Sequence, residues 1–578
     1  MPSRTGRVHV ATTTRNYKGK VYRTHLLRRT YRVGKQVKHE TLGNISHLPD
    51  ALIDIIRRSL AGESFVSADK SFTIERSRPH GHVEAVLGTI HQLGLAKLIG
   101  SKRSRQRDLV VAMIAERLLH PCSKLASIRS WNSTTLAEEL AVTDATEDEL
   151  YDALDWLLAR QPRIEKKLAG QHLGEGAVVL YDITSSYYEG HCCPLARFGH
   201  NRDGKKDRPI IVYGVLTDAD GRPVALDVYE GNTGDPATVP DQVEKLQQRF
   251  GLERVVLVGD RGMLTETQIG KLKEHPGLGW VSALRSGAIR ELADSGALQL
   301  SLFDEQNLAE IHAPAYPGER LVACYNPLLA EERKRKREEL LEATERELMR
   351  ISKRVARRTK TQLKKDEIAL KVGAVVNRFK VGKHFELTIE DGLLRWSRRP
   401  EAIRREAELD GIYVIRTSEP EGPSWSAADT VRRYKSLAQV ERAFRTLKGI
   451  DLRVRPIFHR TPDHVRAHIF LCLLAYYVEW HMRRKLAPLL FDDEQLPENR
   501  LSRDPVAPAE PSLAAKKKKR TRHTADGLPI HSFSTLLREL GTRCRNTCRT
   551  KSGGSGPSFP LLTKLTPLQA KAYQLLGL

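Results

Sequence analysis

Two aspartates and one glutamate sit where a pair of divalent metals would need oxygen ligands. Asp182 ends the apolar run Ala177-Val-Val-Leu-Tyr, and Asp260 ends a second, Val255-Val-Leu-Val-Gly, ahead of Arg261 and Gly262. Both read as carboxylates at the tip of a buried strand. Glu441 is the middle of three residues, Tyr434, Glu441 and Lys448, spaced by seven. At about 3.6 residues per turn that spacing predicts one helical stripe, with a phenol on one side of the carboxylate and a cation on the other. Hydrolysing or transferring a phosphodiester needs a deprotonated nucleophile and a stabilised leaving oxygen, which two ions about 4 Å apart supply. Hard ions such as Mg²⁺ take oxygen ligands and keep waters. An aspartate after a strand also simply opens a turn, and a helical glutamate can be a solvated surface residue. The three contexts together favour a metal-dependent enzyme that cuts nucleic acid.

The same residues carry a family resemblance. The chain resembles the DDE transposases of bacterial insertion sequences, in the insertion sequence 4 superfamily, whose signature around the last acid is Y-x2-R-x3-E-x6-K. Tyr434, Glu441 and Lys448 fit the spacing, while Leu437 stands where the arginine is expected. The contexts of Asp182 and Asp260, the phrase Asp410-Gly-Ile-Tyr-Val-Ile-Arg-Thr417 and the phrase Arg455-Pro-Ile-Phe-His459 extend the likeness over roughly residues 170 to 485. The resemblance implies an RNase H-like core and Asp182, Asp260 and Glu441 as catalytic and metal-binding residues, with Mg²⁺ or Mn²⁺ as cofactor. It further implies binding of element ends, phosphodiester hydrolysis and transfer of the 3′-hydroxyl to target DNA. Lys448 is then expected on a phosphate and Tyr434 near a terminal nucleotide. The alternatives are a structure-specific nuclease without strand transfer and a transposase-derived DNA-binding protein; the presence of all three acids argues against the last.

Charge agrees with a polyanionic partner. The 578 residues hold 95 Lys plus Arg against 71 Asp plus Glu, a formal net charge of +24, which favours steering toward a polyanion without separating DNA from RNA or an acidic surface; the resemblance implies double-stranded DNA, at element ends and target. A homodimer is expected as the active complex. Seven cysteines show no repeated C-x2-C set for zinc, so reduced thiols in a cytoplasm are the simpler account. The polar start, Met1-Pro-Ser-Arg-Thr-Gly-Arg, has no secretory signal. The longest apolar run, Ile469 to Val478, is too short to cross about 30 Å of hydrocarbon. A cytoplasmic protein, at the nucleoid when bound, is expected.

The elements that position the acids form an α/β chain in six parts. Residues 1–75 form a basic β-rich segment, with a hairpin or meander over 8–44 punctuated by Tyr17-Lys-Gly19 and Val33-Gly-Lys35. Residues 76–172 form a helical, candidate DNA-binding module in which Thr146-x-x-Glu149 predicts a capping box; a helix-turn-helix is possible there, though no turn is distinctive. Residues 173–285 and 409–488 are the two parts of the core, a mixed sheet flanked by helices, with strands expected at Ile210 to Leu216, Val224 to Tyr229, Val255 to Val258 and Trp280 to Leu284. Residues 286–408 are an insertion domain of mixed α and β, too long for a loop.

Within the insert a charged helix is expected from Glu331 to Leu370, with Leu341, Leu348, Ile351 and Val355 on one stripe. Its Arg333, Lys334, Arg335, Lys336 and Arg337 are candidate DNA-binding residues that track phosphates; a solvated amphipathic helix is the plain alternative. Residues 489–578 read as a basic linker, with Lys516-Lys-Lys-Lys-Arg520, and a C-terminal tail. His464 and His468, four apart, lack the glutamate of an H-E-x-x-H pair and read as hydrogen-bonding or DNA-facing histidines rather than zinc ligands.

Overall fold

β-Branched and aromatic runs flanked by turn residues supply the strands, and in the largest sheet most of their side chains are buried because helices cover both faces. The structure is a computed structural model that describes residues 6–63, 65, 72–299, 301, 303–358, 361–550 and 557–578. The chain divides into two units, residues 1–78 with 544–563 and residues 79–543 with 564–578.

In the first unit, β1 (Arg7–Tyr17), β2 (Lys20–Val33) and β3 (Gln36–Asn44) form an antiparallel meander, followed by α1 (Asp50–Leu60). Gly19 and Gly34 turn the chain with φ of +72° and +62°, a left-handed backbone that side chains resist. Between them β2 pairs with both neighbours. A second sheet joins β4 (Phe72–Pro79) to strands at Cys544–Thr550 and Ser558–Leu562. Part of the expected C-terminal tail is therefore built into the N-terminal unit.

The second unit opens with helices α2 (Gly81–Gln92), α3 (Arg105–Leu119), α4 (Lys124–Trp131), α5 (Glu147–Leu158) and α6 (Gln161–His172). The capping box at α5 is present: Glu149 N–H donates to Thr146 Oγ1, and Thr146 N–H donates to a Glu149 carboxylate oxygen. α3 is buried almost all round, from Asp108 to Leu118, as a central helix must be. These helices share one hydrophobic core with the sheet that follows. The helical segment expected over 76–172 thus also walls the core.

The sheet contains β5 (Ala177–Tyr187), β6 (Ile210–Asp218), β7 (Pro223–Glu230), β8 (Val255–Val258), β9 (Leu278–Ala283), β10 (Leu308–Ile311), β11 (Arg320–Tyr325) and a strand from Ile412–Thr417. Its order is β10, β11, Ile412–Thr417, β9, β8, β5, β6, β7. β5, β8 and β9 run parallel and every other pair is antiparallel. The four expected strands are found within one or two residues. The helices α7 (Val239–Glu244) and α8 (Glu266–Lys273) make the crossovers around β8.

The insertion is smaller than expected. β10 and β11 extend the main sheet, so the part that leaves it begins at α9 (Pro327–Ala356) and continues through α10 (Lys365–Phe379), β12 (Phe385–Glu390), β13 (Leu393–Arg398) and α11 (Pro400–Ala407). The single helix expected from Glu331 to Leu370 is also corrected, because the helix stops at Ala356. Folding back lets Ile368 and Val372 bury against Leu341, Leu348 and Val355 in a separate small core; one straight helix would leave that stripe in water.

After the Ile412–Thr417 strand, here β14, come α12 (Ala427–Lys435), α13 (Ala438–Lys448) and α14 (Pro462–Leu486). α14 is buried from Val465 to Glu479 almost without interruption, and no described helix is long and apolar enough to cross a membrane. The expected basic linker is a helix, α15 (Leu513–Thr521). Lys518 is buried and donates to the Ala487 carbonyl at 2.8 Å and to Glu494 at 2.9 Å. α16 (Phe533–Gly541) and α17 (Pro567–Leu576) pack on α2 and α14 of the same unit.

Candidate active site

The register of the parallel strands brings the first two acids level. Leu180 of β5 pairs with Val258 at the end of β8, and each of these residues is two before its aspartate. Asp182 continues along β5, partly buried, with Ile183 N–H donating to its Oδ1 at 2.8 Å. Asp260 lies past the end of β8 and is exposed; its Oδ1 accepts from Gly262 N–H at 2.8 Å and Met263 N–H at 2.9 Å. A Cβ on Gly262 would sit 3.2 Å from that oxygen, so glycine allows the turn to close tightly on the carboxylate.

Glu441 arrives on the first turn of α13. Val440, Ala443, Phe444 and Leu447 form the buried face of this helix, and Phe444 meets Tyr213 of β6 edge to face at 6.1 Å. That seat holds the helix against the sheet and leaves Glu441 exposed beside the strand ends. The three acids interact. The Asp182 carboxyl is pushed up to about 7, first by burial and then by the negative charges of Asp260 and Glu441, with Ile183 N–H and Arg202 opposing. Among the described residues none of the three carboxylates has a salt-bridge partner. Oxygen donors with uncompensated charge at an open strand end fit hard divalent cations.

The expected continuous stripe through Tyr434, Glu441 and Lys448 is corrected. The helix breaks at Ser436 and Leu437, where Leu437 N–H donates to Tyr434 O and Gln439 N–H to Ser436 O, the tighter i to i+3 pattern of a turn. Leu437, in place of the signature arginine, packs on the core. Tyr434 nevertheless comes to the acids: its phenol is pushed up to about 12 by burial and then by the charges of Asp260, Glu441 and Asp182. Lys448 goes elsewhere. Its ammonium lies 3.1 Å from Asp203, which is buried and is also paired with Arg455. The expectation of an ammonium free to hold phosphate across the site is corrected to that of a half-buried cation with a carboxylate partner.

On α9 the five candidate cations split by helical face. Arg333 donates to the carbonyls of Leu409 and Ile412 at 3.2 and 3.4 Å, and Arg337 forks onto Asp410. Lys334, Arg335 and Lys336 are exposed. Lys336 also borders a cavity of about 750 Å³ whose wall includes Arg261, the residue after Asp260. Sequence reasoning missed Arg261, and it missed Arg202, whose Nη2 donates to both Asp235 carboxylate oxygens at 2.8 and 2.7 Å while its charge acts on Asp182. The adjacency of Arg261 to Asp260 was the available signal; nothing local marked Arg202. His468 is buried and hydrogen-bonded to the Val454 carbonyl, and His464 pairs with Asp155, so the two histidines do not share a ligand position.

Residues 175–478 match the family model for the Transposase DDE domain, and residues 10–69 match that for the IS1634 family transposase, N-terminal domain. The first match takes more than half of the 578 residues, and the chain belongs to the family of insertion-sequence transposases with a DDE domain. Domains of this family are metal-dependent. No curated protein matches the chain. Among solved structures it is similar to a piggyBac transposase synaptic complex with hairpin DNA, at 11% identity over 80% of this chain and 76% of that one, with a TM-score of 0.36.

Proposed function

We propose that this transposase binds the ends of a bacterial mobile element, hydrolyses a phosphodiester there and joins the freed 3′-hydroxyl to target DNA. Asp182, Asp260 and Glu441 are the catalytic and metal-holding residues in this reading. The carrying observation is that carboxylates from two strand ends and one helix come close enough for Asp260 and Glu441 to raise Asp182, with no salt-bridge partner for any of the three among the described residues. When bound, Mg²⁺ or Mn²⁺ would supply a deprotonated nucleophile and charge on the leaving oxygen. The residues of the chain then bind and orient. Gly262 and Met263 N–H groups fix the Asp260 carboxylate, and the Val440, Ala443, Phe444 and Leu447 face fixes the direction of Glu441. Tyr434 borders the reacting phosphate near a terminal nucleotide. Arg261 and the exposed Lys334, Arg335 and Lys336 guide the DNA along the cavity they border or flank. Lys448, with Arg455, holds Asp203 and so the loop before β6.

Finer points belong to the same reading. The strand order β7, β6, β5, β8, β9, with parallel pairs only after β5, supports an RNase H-like core. The spacing of Tyr434, Glu441 and Lys448 supports the insertion sequence 4 superfamily, and a homodimer is the active complex. The test uses a labelled duplex carrying the element end, a supercoiled target and Mg²⁺. A labelled end covalently joined to target is expected. Cleavage with no joined product under any divalent metal would instead establish a structure-specific nuclease, and end binding without cleavage a DNA-binding derivative.

A further inference from the structure

A second concentration of positive charge lies where the loop before α4 meets the loop before α14. The two loops enclose a cavity of about 640 Å³. On its wall Lys124 is buried, 4% exposed, with its Nζ 3.3 Å from His468 Nδ1 and 3.5 Å from His459 Nε2. His468 Nε2 donates to the Val454 carbonyl at 3.1 Å, so its Nδ1 accepts from the ammonium. Burial, followed by the charge of Lys124, holds both imidazoles far below their ordinary range, His459 at about 2. Neutral rings orient the lysine without neutralising it. Arg453 and Arg460, both exposed, stand on the same wall, and among the described residues no carboxylate pairs with Lys124, Arg453 or Arg460. Burial, and then the charge of Arg117, bring the Lys124 ammonium down to about 7, and an anion seated in the cavity would hold it protonated.

Two further features have the same sign. α4 and α14 both begin at this cavity, with their N-caps Ser123 and Thr461 in its lining; helix N-termini carry a partial positive charge and N–H groups that suit anions. Arg455 lines the cavity while pairing with Asp203, the partner of Lys448. The cavity is thereby linked through one ionic node to the helix that carries Glu441. Phe458, 58% exposed, offers an apolar face at the same wall.

We propose that this cavity is a phosphate-binding site, and that in the working complex it takes a backbone phosphate of the DNA strand that passes the three carboxylates. The DNA source rests on the transposase reading; the phosphate chemistry does not. The test uses the full chain without divalent metal, so that it does not depend on cleavage. Wild type, Lys124→Met and the surface pair Arg453→Gln with Arg460→Gln are titrated with inorganic phosphate against chloride at equal ionic strength, reading the thermal midpoint. Phosphate is expected to raise the midpoint of wild type by a few degrees, with the shift lost in Lys124→Met and reduced in the arginine pair.

The same proteins are then titrated with a duplex oligonucleotide over a range of salt. Losing one phosphate contact lowers the slope of log affinity against log salt by about one. If Lys124→Met does not fold, the exposed arginine pair still decides the matter. A phosphate shift with an unchanged DNA slope would keep the anion site and overturn its assignment to DNA. Equal shifts in all proteins, or none, would overturn the site. A protein that shows both effects yet never cleaves DNA would sink the catalytic reading while leaving this one intact.

Discussion

Two acidic clusters on the same sheet treat their charge in opposite ways. Beside β7, Glu165 is 0% exposed, yet Lys245 reaches it at 3.4 Å and Asp227 at 2.6 Å, and Glu165 accepts from Leu226 N–H and the Gln161 amide. That cluster contains its own counter-ion and needs nothing from outside. Beside β5, Asp182, Asp260 and Glu441 repel one another, Arg202 opposes them only through its charge while pairing with Asp235, and among the described residues none of the three has a salt-bridge partner. Negative charge that folding leaves without a paired cation is relieved by a proton on Asp182 or by an external cation, so the balanced cluster reads as architecture and the unbalanced one as a site. The largest expected effect follows. Asp182→Asn, Asp260→Asn or Glu441→Gln should each lower cleavage by about a thousandfold or more, leave end binding nearly unchanged, and cost no stability, since each removes repulsion. Cleavage near the wild-type rate in any one of them, measured with Mg²⁺ on a labelled end, would break the distinction.

The balanced cluster should fail in the other way. Lys245→Met leaves Asp227 without its cation and Glu165 with only the more distant Arg249 at 3.9 Å, and breaking a buried pair costs about 3–5 kcal/mol. Urea unfolding should show that loss, while cleavage per folded molecule stays close to wild type. A change below about 1 kcal/mol would mean that water already compensates the cluster.

Acidity sharpens the contrast. The Asp182 carboxyl sits at about 7 in the folded chain against about 3.9 when unfolded. Between those values the unfolded chain has released a proton that the folded chain keeps, so stability falls as pH rises from about 4 to 7 and is constant on either side. Metal-free wild type should therefore lose stability across that window relative to Asp182→Asn, and divalent cations should bind more tightly as pH passes about 7, releasing a proton. Identical pH profiles for the two proteins, recorded as thermal midpoints, would show that Asp182 is not held protonated.

How much of this was legible depended on whether the signal was local. Strand positions, the α5 capping box and the three acids all stand in contiguous patterns, and each element formed within one or two residues of its expected place. The convergence of Asp182 and Asp260 required only that two apolar strands pair in parallel. What sequence could not give was pairing over long separations. Lys448 meets Asp203, Lys518 meets Glu494 and the Ala487 carbonyl, and β10 and β11 leave the expected insert to join the main sheet. A basic run such as Lys516 to Arg520 reads as linker because its spacing says nothing of a buried acceptor. The break between Tyr434 and Glu441 was missed because periodicity of seven is equally compatible with two short helices sharing one side of a cleft.

The smallest expected effect repeats the comparison with the sign reversed, on α9. Arg337 is balanced by Asp410, whereas Lys334 and Lys336 have no carboxylate partner among the described residues and Arg335 only a loose one, 3.7 Å from Glu339. If unbalanced charge marks function there too, changing Lys334, Arg335 and Lys336 together to Gln should weaken binding to every DNA sequence alike. It should also lower the slope of log affinity against log salt by up to about three, with stability nearly unchanged, since exposed charges contribute little to it. Arg337→Gln should do the reverse, lowering the unfolding midpoint by leaving Asp410 unpaired while the salt slope holds. Both proteins are to be measured on the same duplex from low to physiological salt. An unchanged slope in the triple variant would return this helix face to plain solvation, and a flattened slope in Arg337→Gln would mean that the Asp410 pair opens when DNA binds.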